Sequence, residues 1–167
     1  MFKIFLILGL GLSSFSVLGN SNTLETWDDL KNSYVNAEED TKIQIKRAAA
    51  SKGWVSASKS NEFQAFVNFN HVEQITNEIV QAWVKNVVIN DVTKDGLNLG
   101  DYSMYLVKYN CSNRTYKNIS YTDYRAKNGT VVDSYTFTNT NFKPIIPESV
   151  GESQFDLVCF FNFLKNN

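Results

Sequence analysis

A succession of short alternating segments constrains the fold of this chain more than any other feature. Over residues 63–69, apolar side chains alternate with polar ones, which is the pattern of a half-buried strand. Further strand candidates, rich in β-branched and aromatic residues, follow at 82–89, 102–109, 115–124 and 131–138. The turn signals Asp95-Gly96 and Asn128-Gly129 separate some of them, the second being a strong hairpin signal. The sequence therefore predicts an antiparallel meander.

Helical patterns flank the strand region. Ser149 and Glu152 have the spacing of a capping box, and the apolar residues that follow share one helical face. On the N-terminal side, much of 22–52 is polar and weakly amphipathic, with Asn36 as the expected cap and Gly53 as the expected stop of a helix. The order of helical arm, meander and terminal helix predicts an α+β fold.

The first residues have the pattern of a secretory signal peptide. Lys3 precedes an apolar run over residues 4–12, and small residues before Asn20 suit cleavage after Gly19. A buried N-terminal helix, the alternative, does not account for the polar residues that follow at once. The run is shorter than the about 20 residues that span a bilayer, so we predict no transmembrane segment. We expect export to the periplasm, the cell surface or the medium after removal of residues 1–19.

We expect no lipid anchor on the exported protein. Val17-Leu18-Gly19-Asn20 looks like a lipoprotein processing box in which asparagine replaces the acceptor cysteine. Without that thiol, no diacylglycerol can be attached by this route.

The chain has two cysteines, Cys111 and Cys159. In an exported protein an even number of cysteines indicates a disulfide, and two cysteines allow one pairing. The bond would attach the terminal helix to the end of a sheet strand. With two cysteines and one histidine, the chain offers too few ligands for a zinc site, and we predict neither a metal nor another cofactor.

Composition argues against nucleic-acid binding and against catalysis. The net charge is −1 and no basic patch accompanies the aromatic residues, so we expect no nucleic-acid partner. His71 is the only histidine, and a hydrolytic triad would need a nucleophile and an acid to converge on it. We interpret His71 as a loop or strand-edge residue and predict that the protein is not an enzyme.

Four tyrosines on neighbouring strand candidates form a candidate protein-binding surface: Tyr105, Tyr109, Tyr116 and Tyr121. Tyrosine supplies a large, rigid contact area with a polar tip, and side chains two apart on a strand share a face. The alternative is that these rings cover the sheet as ordinary strand residues.

Several segments, taken in order, resemble the surface-adhesin protein E family. They are Trp54 at the start of a strand, Phe66-Val67-Asn68-Phe69, Asn110-Cys111, Tyr121-Thr122-Asp123-Tyr124, Asn128-Gly129-Thr130-Val131-Val132, Ile146-Pro147-Glu148-Ser149 and Cys159. The resemblance covers about residues 54–164. Together with the patterns of the first 53 residues, it predicts a signal peptide (1–19), an N-terminal helical arm (20–53) and an adhesin E-like α+β domain (54–167).

The resemblance implies both a fold and a function. The fold would be a six-stranded antiparallel sheet with its C-terminal helix joined to the concave side by the Cys111–Cys159 disulfide. The named adhesin of this family is a dimeric outer-membrane protein that binds vitronectin and laminin. The resemblance thus implies a host matrix protein as partner, and a homodimer.

Two functions from different classes fit these features. The first is an exported, non-enzymatic binding protein of the adhesin E type. The alternative is a periplasmic immunity or inhibitor protein that neutralises a secreted effector enzyme, since size, export, disulfide and missing anchor suit both. The identity of the partner distinguishes them.

Overall fold

A computed structural model describes residues 26–138 and 140–167 of the chain. The expected signal peptide and the first residues of the arm lie outside the described residues. Within them the chain forms three helices and seven strands. The elements are α1 (Trp27–Val35), α2 (Glu39–Lys52), β1 (Trp54–Lys59), β2 (Phe63–Gln74), β3 (Ile79–Val88), β4 (Tyr102–Asn110), β5 (Thr115–Tyr124), β6 (Val131–Thr136), β7 (Lys143–Pro144) and α3 (Val150–Asn166).

The strands form one antiparallel sheet in which β1 to β6 lie side by side in chain order, and the short β7 pairs with β5. The α+β fold and the antiparallel meander are therefore confirmed. Asn128-Gly129 makes the predicted hairpin, in which the Gly129 N–H donates to Arg125 O at 2.8 Å. Gly129 has a φ of 68°, a conformation that glycine adopts without steric cost.

Side chains along each strand point alternately to the two faces of the sheet. The face that packs against the helices, called the helical face below, carries the buried Val55, Val67 and Val84 in register on β1, β2 and β3. Lys85 and Met104, paired on β3 and β4, lie on the opposite face. The period of two thus places one apolar row beneath the helices.

Helix α3 packs against β1 to β4 and forms the centre of the core. Its Ser149 cap accepts a hydrogen bond from the Glu152 N–H at 3.1 Å, as predicted. The Glu152 carboxylate instead accepts from the Glu148 N–H, one residue earlier than a capping box requires. Phe155 and Phe161 are fully buried, and burial of side chains of this size stabilises the fold by about 1.5–3 kcal/mol each.

The two N-terminal helices join the same core. Leu30 and Tyr34 of α1 and Ile45 of α2 are buried in it, and the Tyr34 ring meets Phe163 edge-on. The structure corrects the expected helix start at Asn36. Its backbone N–H bonds to carbonyl oxygens of α1, so it ends that helix instead of beginning the next.

Helix α2 begins at Glu39 after Glu38, which makes no side-chain capping hydrogen bond. Gly53 ends α2 with a φ of 64°, as predicted.

The Cys111–Cys159 disulfide is confirmed. It joins the residue after β4 to the middle of α3, with Cα atoms 5.8 Å apart and a sequence separation of 48. A loop of this length corresponds to about 4 kcal/mol of stabilisation in the chain-entropy model. The bond fixes α3 over the part of the sheet next to the candidate surface.

Candidate binding surface

All four candidate tyrosines lie on the helical face. Tyr105 pairs with Tyr121, and Tyr109 pairs with Tyr116, across β4 and β5. Tyr116 and Tyr121 are five residues apart, so a regular strand would place them on opposite faces. A bulge in β5 at Ile119 adds one residue between them and brings both rings to the same side.

The four tyrosines differ in how much of each side chain is exposed to solvent. Tyr109 is only 3% exposed and packs against Phe155, and burial raises its pKa. This corrects the expectation for Tyr109, which belongs to the core and adds no area to an outer surface. Tyr105, Tyr116 and Tyr121 are half-buried and keep part of each ring accessible.

A cavity of about 190 Å³ lies where the N-terminal end of α3 meets the sheet. Tyr105, Tyr109 and Tyr116 line it, together with Asn86 and Gln154. The Gln154 Nε2 donates to Asn86 Oδ1 at 2.9 Å and so closes one wall. The cavity presents neutral amides and phenols, which suit hydrogen bonding to an inserted side chain.

Beyond the cavity, four rings continue across the outer strands, and we call them the aromatic row. They are Tyr105, Tyr121, Tyr135 and Phe137. The Tyr121 ring lies 5.9 Å from Tyr105, 6.3 Å from Tyr135 and 6.0 Å from Phe137, between centroids. Tyr135 is 52% exposed. Sequence reasoning missed Tyr135 and Phe137, although the Asn128-Gly129 hairpin signal could have suggested that Tyr135 lies opposite Tyr121.

Two carboxylates, called the acidic pair below, border the aromatic row. Asp123 and Asp133 are directly opposite each other on β5 and β6. The Tyr121 hydroxyl donates to Asp133 Oδ2 at 2.7 Å, and this hydrogen bond raises the pKa of Tyr121 to about 12. Burial raises the pKa of Asp123 and outweighs a hydrogen bond from the Ser103 side chain, which lowers it; repulsion from Asp133 and Asp95 adds to the rise.

The histidine weighed for catalysis lies apart from the candidate surface. His71 is an exposed residue of β2, away from the aromatic row. Asp101 is bound to Arg125 by a 2.6 Å ion pair. The described part of the chain contains no group of three or more acidic, histidine or cysteine side chains arranged to hold a metal ion.

A disulfide-bound helix over a meander sheet, with an aromatic surface beside it, defines a small α+β protein suited to binding. The chain matches the sequence model of surface-adhesin protein E over residues 54–160, more than half of its length. It belongs to that family. The match begins at the first residue of β1 and includes both cysteines. No curated protein and no solved structure matches the chain.

Membership of this family suggests an adhesin-like binding protein and not an enzyme. The family and the disulfide together suggest an exported protein. Within residues 26–138 and 140–167, no helix is long and apolar enough to cross a membrane.

Proposed function

We propose that this protein is an exported, non-enzymatic binding protein that contacts a protein partner through the helical face of β4, β5 and β6. The aromatic row is the observation that carries the proposal. Its rings lie on β4, on β5 and on or directly after β6, a strand whose residues are all exposed. Aromatic residues, tyrosine among them, are enriched at the centres of protein interfaces. Tyr116 and the cavity extend this surface toward α3.

The scaffold supports binding because a cross-link and ring packing restrict it before the partner arrives. The disulfide and the core around α3 hold the end of β4 in place. The Tyr105 and Tyr121 rings, on β4 and β5, pack against each other and restrict each other's side-chain motion. Side chains that are already ordered lose little conformational entropy on association. The partner that we favour is a host matrix protein such as vitronectin or laminin, as the family resemblance implies.

The decisive experiment uses the mature protein as bait. It is tested against immobilised vitronectin and laminin, and against the secreted proteins of its own bacterium. The variants Tyr135→Ala and Tyr121→Ala should weaken binding by roughly 30-fold, or about 2 kcal/mol, if these rings are hot spots.

Tyr124→Ala is the matched control, because Tyr124 stacks on Tyr102 on the opposite face of β5. Equal loss in the control and in the test variants would contradict the proposal. So would variants that unfold, which would make the rings core residues. A matrix protein recovered by the bait supports adhesion, whereas a bacterial enzyme supports the immunity alternative.

Two further expectations concern processing and location. The intact mass of the mature protein should lack residues 1–19 and carry no diacylglycerol. Protease treatment of intact cells should distinguish surface display from the periplasm, because the outer membrane protects periplasmic proteins. The homodimer that the resemblance implies stays a prediction, and size-exclusion chromatography of the mature protein in solution tests it.

A further inference from the structure

The acidic pair places two carboxylates directly opposite each other in the sheet. Asp123 and Asp133 are direct cross-strand partners, and like charges at such positions destabilise a sheet. Asp123 also has a buried Oδ1 without a hydrogen-bond partner among the described residues. Departures from local design rules of this kind concentrate at functional sites.

Two nearby basic residues, Arg125 and Lys94, are paired with other acids. Arg125, two residues after Asp123, is bound to Asp101 and also donates to the Gly96 carbonyl at 2.8 Å. Lys94 forms an ion pair with Asp91 at 2.9 Å. Among the described residues no cation forms an ion pair with Asp123 or Asp133, so their charge is available to a cation from outside the chain.

Aromatic faces lie beside these carboxylates. Tyr121 reaches Asp133 through its hydroxyl, and its ring is 6.3 Å from that of the half-exposed Tyr135. Carboxylates next to aromatic rings suit a guanidinium group, which makes paired hydrogen bonds at its edge and stacks on rings with its plane. An ammonium group suits this arrangement less, because it is compact and strongly hydrated.

We propose that the acidic pair and the rings of Tyr121 and Tyr135 bind an arginine side chain of the protein partner. The proposal rests on the proposed function and names the chemistry of its partner. Charge complementarity selects this occupant: the site supplies two carboxylates, and arginine supplies a planar cation with five donors.

The test titrates the isotope-labelled protein with N-acetyl-arginine amide and follows backbone amide signals by NMR. Shifts should centre on residues 121–123 and 133–135. N-acetyl-citrulline amide has the same shape without the charge, and it should bind at least tenfold more weakly. Equal binding of citrulline would overturn the proposal, as would shifts centred elsewhere. Calcium chloride that produces the same shifts and competes with arginine would overturn it in favour of a metal site.

Variants separate the site from the fold. Asp133→Asn, at an exposed position, should weaken arginine-amide binding at least tenfold, and Asp123→Asn should do the same. Asp123→Asn should not lower the melting temperature, because it removes a like-charge contact. Asp40→Asn, an equal charge change on the exposed surface of α2, is the control and should bind arginine amide normally. Normal binding by Asp133→Asn would overturn the proposal.

The two proposals fail in distinguishable ways. If the partner captured by the bait is lost with Tyr135→Ala but bound normally by Asp133→Asn, the arginine inference is wrong and the proposed function stands. If arginine amide binds as expected but no protein partner is retained, the proposed function is wrong and the site remains.

Discussion

Asp101 shows how a single carboxylate organises the loops beside the candidate surface. It accepts hydrogen bonds from the Asn98 N–H and the Ala126 N–H, each at 2.9 Å, and from Arg125 at 2.6 Å. These donors, the Asn98 N–H first among them, lower the pKa of Asp101 to about 2. One side chain thereby joins the β3–β4 connection to the hairpin between β5 and β6.

We predict that Asp101→Asn lowers the free energy of unfolding at pH 7 by about 2 kcal/mol, because charged hydrogen bonds are lost. The folded pKa of Asp101 lies below its ordinary 3.8, so its contribution is present above about pH 4 and is lost as the pH falls toward 2. Denaturant unfolding of both proteins at pH 7 and pH 3 measures this. A difference that stays constant across this range would contradict the prediction.

Asp156 on α3 has the opposite linkage. Burial, the main cause, raises its pKa to about 6 despite a hydrogen bond from the Trp27 N–H and the nearby Arg114. Between about pH 4 and 6 the folded state binds the proton more tightly than the unfolded state does. Stability should therefore fall as the pH rises through this range.

Asp156→Asn should lack that decline, because asparagine does not ionise. The difference in unfolding free energy between wild type and variant, measured from pH 4 to pH 7, tests it. A parallel pH dependence of the two proteins would show that the raised pKa is wrong.

At the scale of elements, Arg114 binds the β4–β5 turn to α3. Its guanidinium contacts the carboxylates of Glu152 and Asp156 and lies 4.9 Å from the centre of the Phe155 ring. The Arg114 carbonyl accepts from the Ile145 N–H at 2.9 Å, which ties the segment before α3 to the same turn. The contacts lie three residues from Cys111, so the ion pairs and the disulfide hold the same junction.

We predict that Arg114→Ala destabilises the protein by about 2 kcal/mol, since it leaves the buried Asp156 without its cation. The estimate is below the usual cost for a buried pair because the Arg114 side chain is 40% exposed. Adding Asp156→Asn should recover part of the loss, and a double-mutant cycle measures the coupling. Lys117→Ala, on β5, is the control. Strictly additive effects would show that the two groups do not interact.

At the scale of the whole molecule, the disulfide closes a loop between two residues that are 48 positions apart in the sequence. It links the meander to a helix that is distant in sequence and buried against β1 to β4. Its chain-entropy contribution of about 4 kcal/mol is a large share of the 5–15 kcal/mol by which proteins of this kind are stable.

We predict that reduction lowers the unfolding free energy by about 4 kcal/mol, and that Cys111→Ala with Cys159→Ala does the same. Urea unfolding with and without reductant measures the change, and the cysteine-free variant controls for effects of the reductant elsewhere. Alkylation of the native protein without reductant should find no free thiol. Labelling of either cysteine would contradict the bond, and an unchanged midpoint would contradict its contribution.

The sequence alone predicted the helical arm, the meander and the terminal helix in their order, but not the helix end at Asn36 or the short β7. Alternation with a period of two identified β2 and β5, Asn128-Gly129 located one hairpin, and Ser149 located the start of α3. These signals are local, because a turn or a cap depends on the conformational preferences of a few neighbouring residues. Two cysteines then left one possible pairing.

Only the tertiary structure decided which side chains the candidate surface presents. The bulge at Ile119 sets the face of Tyr116 relative to Tyr121, and no local residue preference predicts where a strand gains an extra residue. Burial of Tyr109 depends on α3, which lies about fifty residues further along the chain. The acidic pair exists because the register of β5 and β6 places Asp123 opposite Asp133. Register and burial are properties of several packed elements together, so a pattern along one strand does not contain them.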